Sequence, residues 1–295
     1  MLNIRKILVP VVFGESSTGA SSNIAEQAAW LARRFQSEII LLHVVTPLSY
    51  PAGMFESGDG VTAQDLHARV VQKAEAELDR ALWPELEGIT VTRMLLRGHP
   101  GTEIVRTARE QNADLIVMAT HGEAAFVRLL LGSVTGKVLH ESPCPVWTGA
   151  HIQDAPKSEF SVRNVVCAID LTPHSRHTAS LAVSFAAAAE ATLTFVHITA
   201  GVETWGPGGS DVDPAWQKTI VGIAHREAAQ LQEEIGTHTE VIVDSGNVSQ
   251  LLSAAAERTG ADVLVIGHRP GRSHLGDNGN GYGIIRESRI PVLSV

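Results

Sequence analysis

Cysteine is scarce: the 295 residues contain Cys144 and Cys167 and no others. Two thiols cannot build a disulfide framework or a four-cysteine zinc site, and such usage fits a reducing compartment. Aromatic residues make up 5% of the chain, too few for a broad stacking platform on single-stranded nucleic acid. Positive charge is in deficit, with 23 Lys and Arg against 32 Asp and Glu. An extended face for DNA or anionic lipid is therefore disfavoured. Long apolar runs are missing too, since none approaches the ~20 residues that span a bilayer. Arg5 and Lys6 ahead of the run Ile7 to Phe13 have the outline of a short signal peptide. Pro10 interrupts that run, and Arg163-Asn164 followed by Val165 to Ile169 repeats the pattern in mid-chain. A signal peptide would not be duplicated inside a mature protein, whereas a buried strand would. The expectation is two strands in a cytoplasmic protein with no nucleic-acid or membrane partner.

What the chain does contain is a repeat. Lys6-Ile-Leu-Val-Pro10 matches Asn164-Val-Val-Cys-Ala168, and Leu41-Leu-His43-Val-Val matches Phe195-Val-His197-Ile-Thr. Gly98 pairs with Gly246, and Ala113-Asp-Leu-Ile-Val-Met118 with Ala261-Asp-Val-Leu-Val-Ile266. The closing Glu141-Ser-Pro-Cys-Pro-Val146 is echoed by Glu287-Ser-Arg-Ile-Pro-Val292. The order is the same in both halves, the mark of a tandem duplication. It agrees with the two domains that the length suggests at roughly 150 residues each. The expected division is a domain over 1–150, a polar linker over 151–162 and a second domain over 163–295.

Within each copy strands alternate with helices. Val-, Ile- and Leu-rich runs without polar alternation, such as Ile39 to Val45 and Leu115 to Met118, suit parallel strands buried on both faces. Between them, Ile24, Ala28, Leu31, Ala32 and Phe35 recur at helical spacing, as do Leu66, Val70, Ala74, Leu78 and Leu82. Ile220, Ile223, Ala224, Ala228, Leu231 and Ile235 do the same in the second copy. This rhythm predicts a parallel sheet covered on both faces. Ligands in such sheets bind beyond the carboxyl ends of the strands, near the switch in strand order.

The segment after the fourth strand carries the chemistry. Val117-Met118-Ala119 leads into Thr120-His121-Gly122, and nine residues then separate Gly122 from Gly132-Ser133-Val134-Thr135. Ser133 to Leu139 reads as a helix start with Ser133 or Thr135 available as its cap. A helix N-terminus leaves amides unpaired and, with its dipole, forms an anion site. The dipole alone contributes ~0.3–1 kcal/mol, so several amides and a hydroxyl must act together on a phosphate chain.

Ala119-x-x-Gly122, nine residues, then Gly132-Ser133 resembles the nucleotide loop of the universal stress protein family, Gly-x-x-Gly, nine residues, then Gly-Ser/Thr. Leu-His-Val at 42–44 and Ser-Pro-Cys-Pro-Val at 142–146 are similar to that family too. The resemblance covers nearly the whole chain, in two copies. It implies an α/β fold of two tandem Rossmann-like (adenine nucleotide alpha hydrolase-like) domains, each a five-stranded parallel sheet with helices on both faces. It further implies ATP as ligand, with or without Mg2+. Pro10, Val11 and Val12 would then face the adenosine end and Val44 would pack on adenine, with Met118 and Ala119 beneath. His121 would lie beside the phosphates, and Gly122, Gly132, Ser133, Val134 and Thr135 would wrap them. Two positions depart from the family pattern: Val12 replaces an acidic residue, and Ala119 replaces the first loop glycine.

The second copy departs in the opposite way. It has Asp170 at the acidic position, with Ile198 and Gly267 matching Val44 and Ala119, but its loop from His268 to Gly283 is two residues shorter. No Gly-Ser pair opens its last helix, so its phosphate cradle reads as broken. Arg269, Arg272, His268 and His274 read as a solvated basic loop.

Other motifs carry less. Gly132-Ser-Val-Thr-Gly136-Lys137-Val138 is one residue short of a P-loop and lacks the hydroxyl residue after lysine. Asp277 with Asn278 and Asn280 misses calcium-loop spacing. His174 and His177 near Asp170 read as capping or exposed rather than as metal ligands, and His43 and His197 as packing or backbone hydrogen-bonding residues. Cys144 reads as buried rather than reactive. No Ser-His-Asp set or nucleophile elbow emerges.

The leading expectation is a cytoplasmic, non-enzymatic, adenine nucleotide-binding regulator in stress response. The alternatives are a nucleotide-free interaction module with both sites decayed, and a slow nucleotide hydrolase. Family members associate through their last strands, here Pro145 to Thr148 and Pro291 to Val295. The resemblance thus implies an intramolecular pseudo-dimer, a homodimer built on it and a protein partner of unknown identity. The Gly- and Pro-rich segments Pro47 to Thr62 and Gly201 to Pro214 read as loops.

Overall fold

Strand follows helix through both halves of a computed structural model, which describes residues 2–13, 18–47, 63–81, 84–120, 132–149, 160–200, 214–267 and 280–295. The first half comprises β1 (Lys6–Val11), α1 (Thr18–Phe35), β2 (Glu38–Val45), α2 (Ala63–Arg80), β3 (Val91–Arg97), α3 (Pro100–Glu110), β4 (Leu115–Ala119), α4 (Ser133–Glu141) and β5 (Val146–Gly149). A short 3-10 turn, Pro84–Leu86, precedes β3. The second comprises β6 (Asn164–Ala168), α5 (Ser175–Ala189), β7 (Thr192–Ala200), α6 (Pro214–Ile235), β8 (Glu240–Gly246), α7 (Val248–Thr259), β9 (Val263–Ile266), α8 (Asn280–Glu287) and β10 (Val292–Ser294).

The strands form one sheet in the order β3-β2-β1-β4-β5-β10-β9-β6-β7-β8. Each half is a doubly wound, five-stranded parallel unit, and the two units join through the antiparallel pair β5–β10. The pseudo-dimer through the last strands is thus present within one chain. Trp147 stands opposite Leu293 at the centre of that pairing, and each lies two residues beyond the proline of its closing segment. A local twofold therefore passes between them.

Period-two alternation sends strand side chains to opposite faces. Val9, Leu41 and Val117 join α1, α2, α5 and α6 in one core, while Leu8, Leu42 and Met118 join α3, α4, α7 and α8 in another. The duplicated sequence segments perform duplicated tasks. Asp114 Oδ2 accepts from the amides of Arg5 and Lys6, and Asp262 Oδ2 from those of Arg163 and Asn164. His43 Nδ1 lies 2.9 Å from the Val11 carbonyl and His197 Nδ1 2.8 Å from that of Ile169, the backbone role read for both. Gly98 and Gly246 have φ of 151° and 142°, a region other residues rarely adopt.

Two helical faces differ from the sequence reading. Val70 is 39% exposed, and among the described side chains of α2 the buried ones are Val71, Ala74 and Leu78. In α6, Ile223 is 41% exposed beside buried Ala224, Ala228 and Leu231. In both helices two apolar residues are adjacent, so periodicity alone cannot choose between them, and packing against the sheet does. Leu82 lies outside the described residues. Gly222, inside α6, has no heavy atom within 4 Å of where a Cβ would stand. Gly222→Ala is accordingly expected to stabilise the chain by about 0.5–1 kcal/mol in urea denaturation, since glycine is the costlier helix residue.

Five of the described aromatic residues gather where the halves meet. Phe35 stacks on Phe185 at 6.0 Å, Trp147 sits 6.0 Å from Phe185 and 6.3 Å from Phe160, and Phe160 meets Trp30 edge-on at 5.7 Å. Phe160 and buried Val162, at the end of the polar connection, thus pack into the core. Arg34 bridges to Glu190 at 2.7 Å across the seam and holds that carboxyl below its ordinary range. Among the described residues no helix is long and apolar enough to cross a membrane.

Candidate functional site

β1 pairs with β2 along its whole length, from Lys6↔Glu38 to Val11↔His43. Its pairing with β4 covers only Ile7↔Leu115 and Leu8↔Ile116, although β1 runs on to Val11 and β4 to Ala119. The two central strands therefore part at their carboxyl ends, at the switch in strand order where such sheets take ligands. Pro10 lies beyond the last β1–β4 pair, where that ladder no longer needs the donor proline lacks.

α4 begins beside this crevice. Gly132 is its N-cap, with φ −57° and ψ 142° and no side-chain cap, so neither Ser133 nor Thr135 caps as expected. The reason is positional: Ser133 is the first helical residue and exposed, while Thr135 faces the sheet and is buried. The Thr135 hydroxyl is within 3.2 Å of the carbonyls of Ala119 and Thr120, and the Gly132 amide donates to Thr120 O at 3.3 Å. Thr135 thus ties the first turn of α4 to the end of β4. The amides of Ser133, Val134 and Thr135 are in that turn, where a helix supplies no partner of its own.

The remaining candidate residues divide by sheet face. Met118 is buried, and half-buried Val44 and Val134 pack on the same core, the one beneath α3 and α4. Val11 is buried in the opposite core, with Ala119 packed against it. Val12 follows β1 and is 52% exposed. Pro10 is half-buried at the end of β1. The carboxyl ends of β1 and β4 and the start of α4 bring Pro10, Met118, Ala119, Gly132 and Thr135 to one end of the sheet. His121 and Gly122 lie outside the described residues. Thr120, not singled out in the sequence, is buried and accepts from both Gly132 and Thr135. Phe13, whose ring lies 4.8 Å from that of His43, was also not singled out. A polar or aromatic residue just beyond a strand end is the only signal either offers.

At the same end of the second half, Asp170 Oδ1 accepts from the Thr172 amide at 3.0 Å, the Thr172 hydroxyl at 2.7 Å and the Ser175 hydroxyl at 2.6 Å. Its carboxylate organises the start of α5. The loop holding His268, Arg269, Arg272 and His274 lies outside the described residues. His174 and His177 are exposed, and among the described residues no group of three metal-ligating side chains occurs.

Neither thiol is poised for chemistry. Burial pushes Cys144 up to about 11 and also raises fully buried Cys167, so neither is a thiolate at neutral pH. A cavity of about 610 Å³ lies between α1, the Pro84–Leu86 turn and Phe160, and another of about 450 Å³ between α7 and α8. Neither touches the crevice at β1 and β4.

This duplicated sheet, open at the carboxyl ends of its central strands, defines a tandem α/β protein of the Rossmann-like class. A model of the universal stress protein family matches residues 3–148 and again 161–295. A universal stress protein of Methanocaldococcus jannaschii is 30% identical over 142 residues, 48% of this chain and 79% of its own length. One of Mycobacterium bovis is 24% identical over 260 residues, 86% of each chain. The crystal structure of a universal stress protein from Archaeoglobus fulgidus, 20% identical, covers 100% of this chain and 97% of its own with a TM-score of 0.65. The chain belongs to the universal stress protein family.

Proposed function

We propose that the first half binds an adenine nucleotide, ATP with or without Mg2+, and that the chain is a nucleotide-responsive regulator rather than an enzyme. One observation carries this reading: the strands β1 and β4 part beside the N-terminus of α4, which Thr135 and Gly132 hold against the end of β4. The base would enter along Val12, Val44 and Met118, and the phosphates would meet the amides of Ser133, Val134 and Thr135 together with the exposed Ser133 hydroxyl. Several aligned amides at a helix start favour an anion, and they must do so locally because the chain carries a net charge of −9. His121 and Gly122 would complete the phosphate loop. The domain limits 1–150 and 163–295, joined by 151–162, belong to the same proposal, as do a homodimer of such chains, a cytoplasmic location and an unidentified protein partner.

ATP at about 100 times its dissociation constant would stabilise the folded chain by about 2.7 kcal/mol. The expected outcome is a rise in Tm that grows with ATP concentration. No shift at millimolar ATP, with no nucleotide released from freshly purified protein in mass spectrometry, removes the reading. One observation favours a second reading, a nucleotide-free interaction module: Val12 offers an exposed apolar side chain where the second half has the Asp170 carboxylate. The same measurement separates the two.

A further inference from the structure

We infer that Tyr282 of the second half is a positioning residue for the anion site of the first, an inference that rests on the nucleotide reading above. Tyr282 lies in the first turn of α8, and its hydroxyl donates to the carbonyl of Gly136 at 3.3 Å. Gly136 is the fourth residue of α4 and the neighbour of Thr135. The start of α4 is therefore held from two directions. Thr135 ties it to β4 within its own half, and Tyr282 ties it to α8 of the other.

The bond is one-way. Gly136 lies nine residues before Pro145 and Tyr282 nine before Pro291, so the two occupy equivalent positions about the local twofold. In a symmetric pair each residue would reach the other's backbone. Gly136 has no side chain to return the contact, and apart from its own helix no heavy atom stands within 4 Å of its Cβ position, so nothing from the other half fills the space a side chain would take. The Tyr282 ring packs against the core that also holds Met118, Val138 and Leu139. Its burial raises the phenol above its ordinary value, so the group remains a donor across the physiological range.

The asymmetry follows the divergence of the halves. The half with Gly132-Ser133 at its last helix receives the contact, and the half without a Gly-Ser pair at that place supplies it. A helix N-terminus holds an anion only while its amides keep a common direction, so anchoring α4 lowers the ordering that binding must otherwise impose. On this account the second half serves as a fixed support for the first.

Tyr282→Phe in the full-length chain keeps the ring and removes the donor. A net hydrogen bond of this kind corresponds to an affinity change of about two- to tenfold. The expected result is ATP binding weakened by up to that factor in titration calorimetry, with Tm lowered by no more than the few degrees that one hydrogen bond accounts for and amide exchange from Gly136 to His140 accelerated. Wild-type affinity in the variant overturns the inference. A lower Tm with unchanged affinity also overturns it, because Tyr282 would then be a packing residue only. If the parent chain binds no ATP, the nucleotide reading fails by itself and amide exchange decides: faster exchange over 136–140 in the variant supports the anchor, and unchanged exchange overturns it.

Discussion

Trp147→Ala is expected to destabilise the folded chain by at least about 4 kcal/mol. Trp147 is fully buried in β5, opposite Leu293 at the centre of the junction between the halves. Its ring meets Phe160 and Phe185, and its indole N–H donates to Gln27 Oε1 at 2.7 Å. Removing a buried aromatic side chain of this kind costs about 3–5 kcal/mol through lost transfer energy and the cavity left behind. Gln27, itself 2% exposed, would lose a partner, which adds about 1–3 kcal/mol. Trp147→Phe separates the two contributions, since it keeps most of the ring and loses the N–H. It should cost about 1–3 kcal/mol. Urea denaturation checks both values, and a loss under about 1 kcal/mol for the alanine variant would mean that the junction is not a packed core.

Gly132→Glu should abolish ATP binding while leaving the fold intact. The backbone of Gly132, at φ −57° and ψ 142°, is in a region open to any residue. A carboxylate at a helix start is also favoured by the dipole, by ~0.3–1 kcal/mol, so the variant should be as stable as the parent or slightly more so. That carboxylate would occupy the amides a phosphate needs and would repel the phosphate itself. The expected loss of affinity is on the order of 100-fold or more, from several displaced charge-assisted bonds together with like-charge repulsion. A variant that unfolds would show it in Tm, which separates a failed fold from a failed site.

The fold was readable because each half states it independently. Val-, Ile- and Leu-rich runs marked strands buried on both faces. Ala113-Asp114 and Ala261-Asp262 recur because one carboxylate in each half fastens the start of its first strand. The crevice between β1 and β4 was readable too, because a parallel sheet opens where its strand order reverses, and Gly132-Ser133 marked the start of α4. Less was readable at finer scale. Val70 against Val71, and Ile223 against Ala224, could not be resolved from periodicity because adjacent apolar residues satisfy a helical stripe almost equally. Thr135 looked like a cap, yet a threonine in the first turn can equally turn its hydroxyl to the strand before it. The Tyr282 contact left no trace in either half, because a bond across the junction depends on how two surfaces meet.

The central claim is a single nucleotide site at the N-terminus of α4. Isothermal titration of the full-length chain with ATP, run in parallel on Gly132→Glu, tests it most directly. The account predicts one ATP bound per chain and none bound by the variant. Absence of binding at millimolar ATP, or parent-like binding by Gly132→Glu, would contradict it.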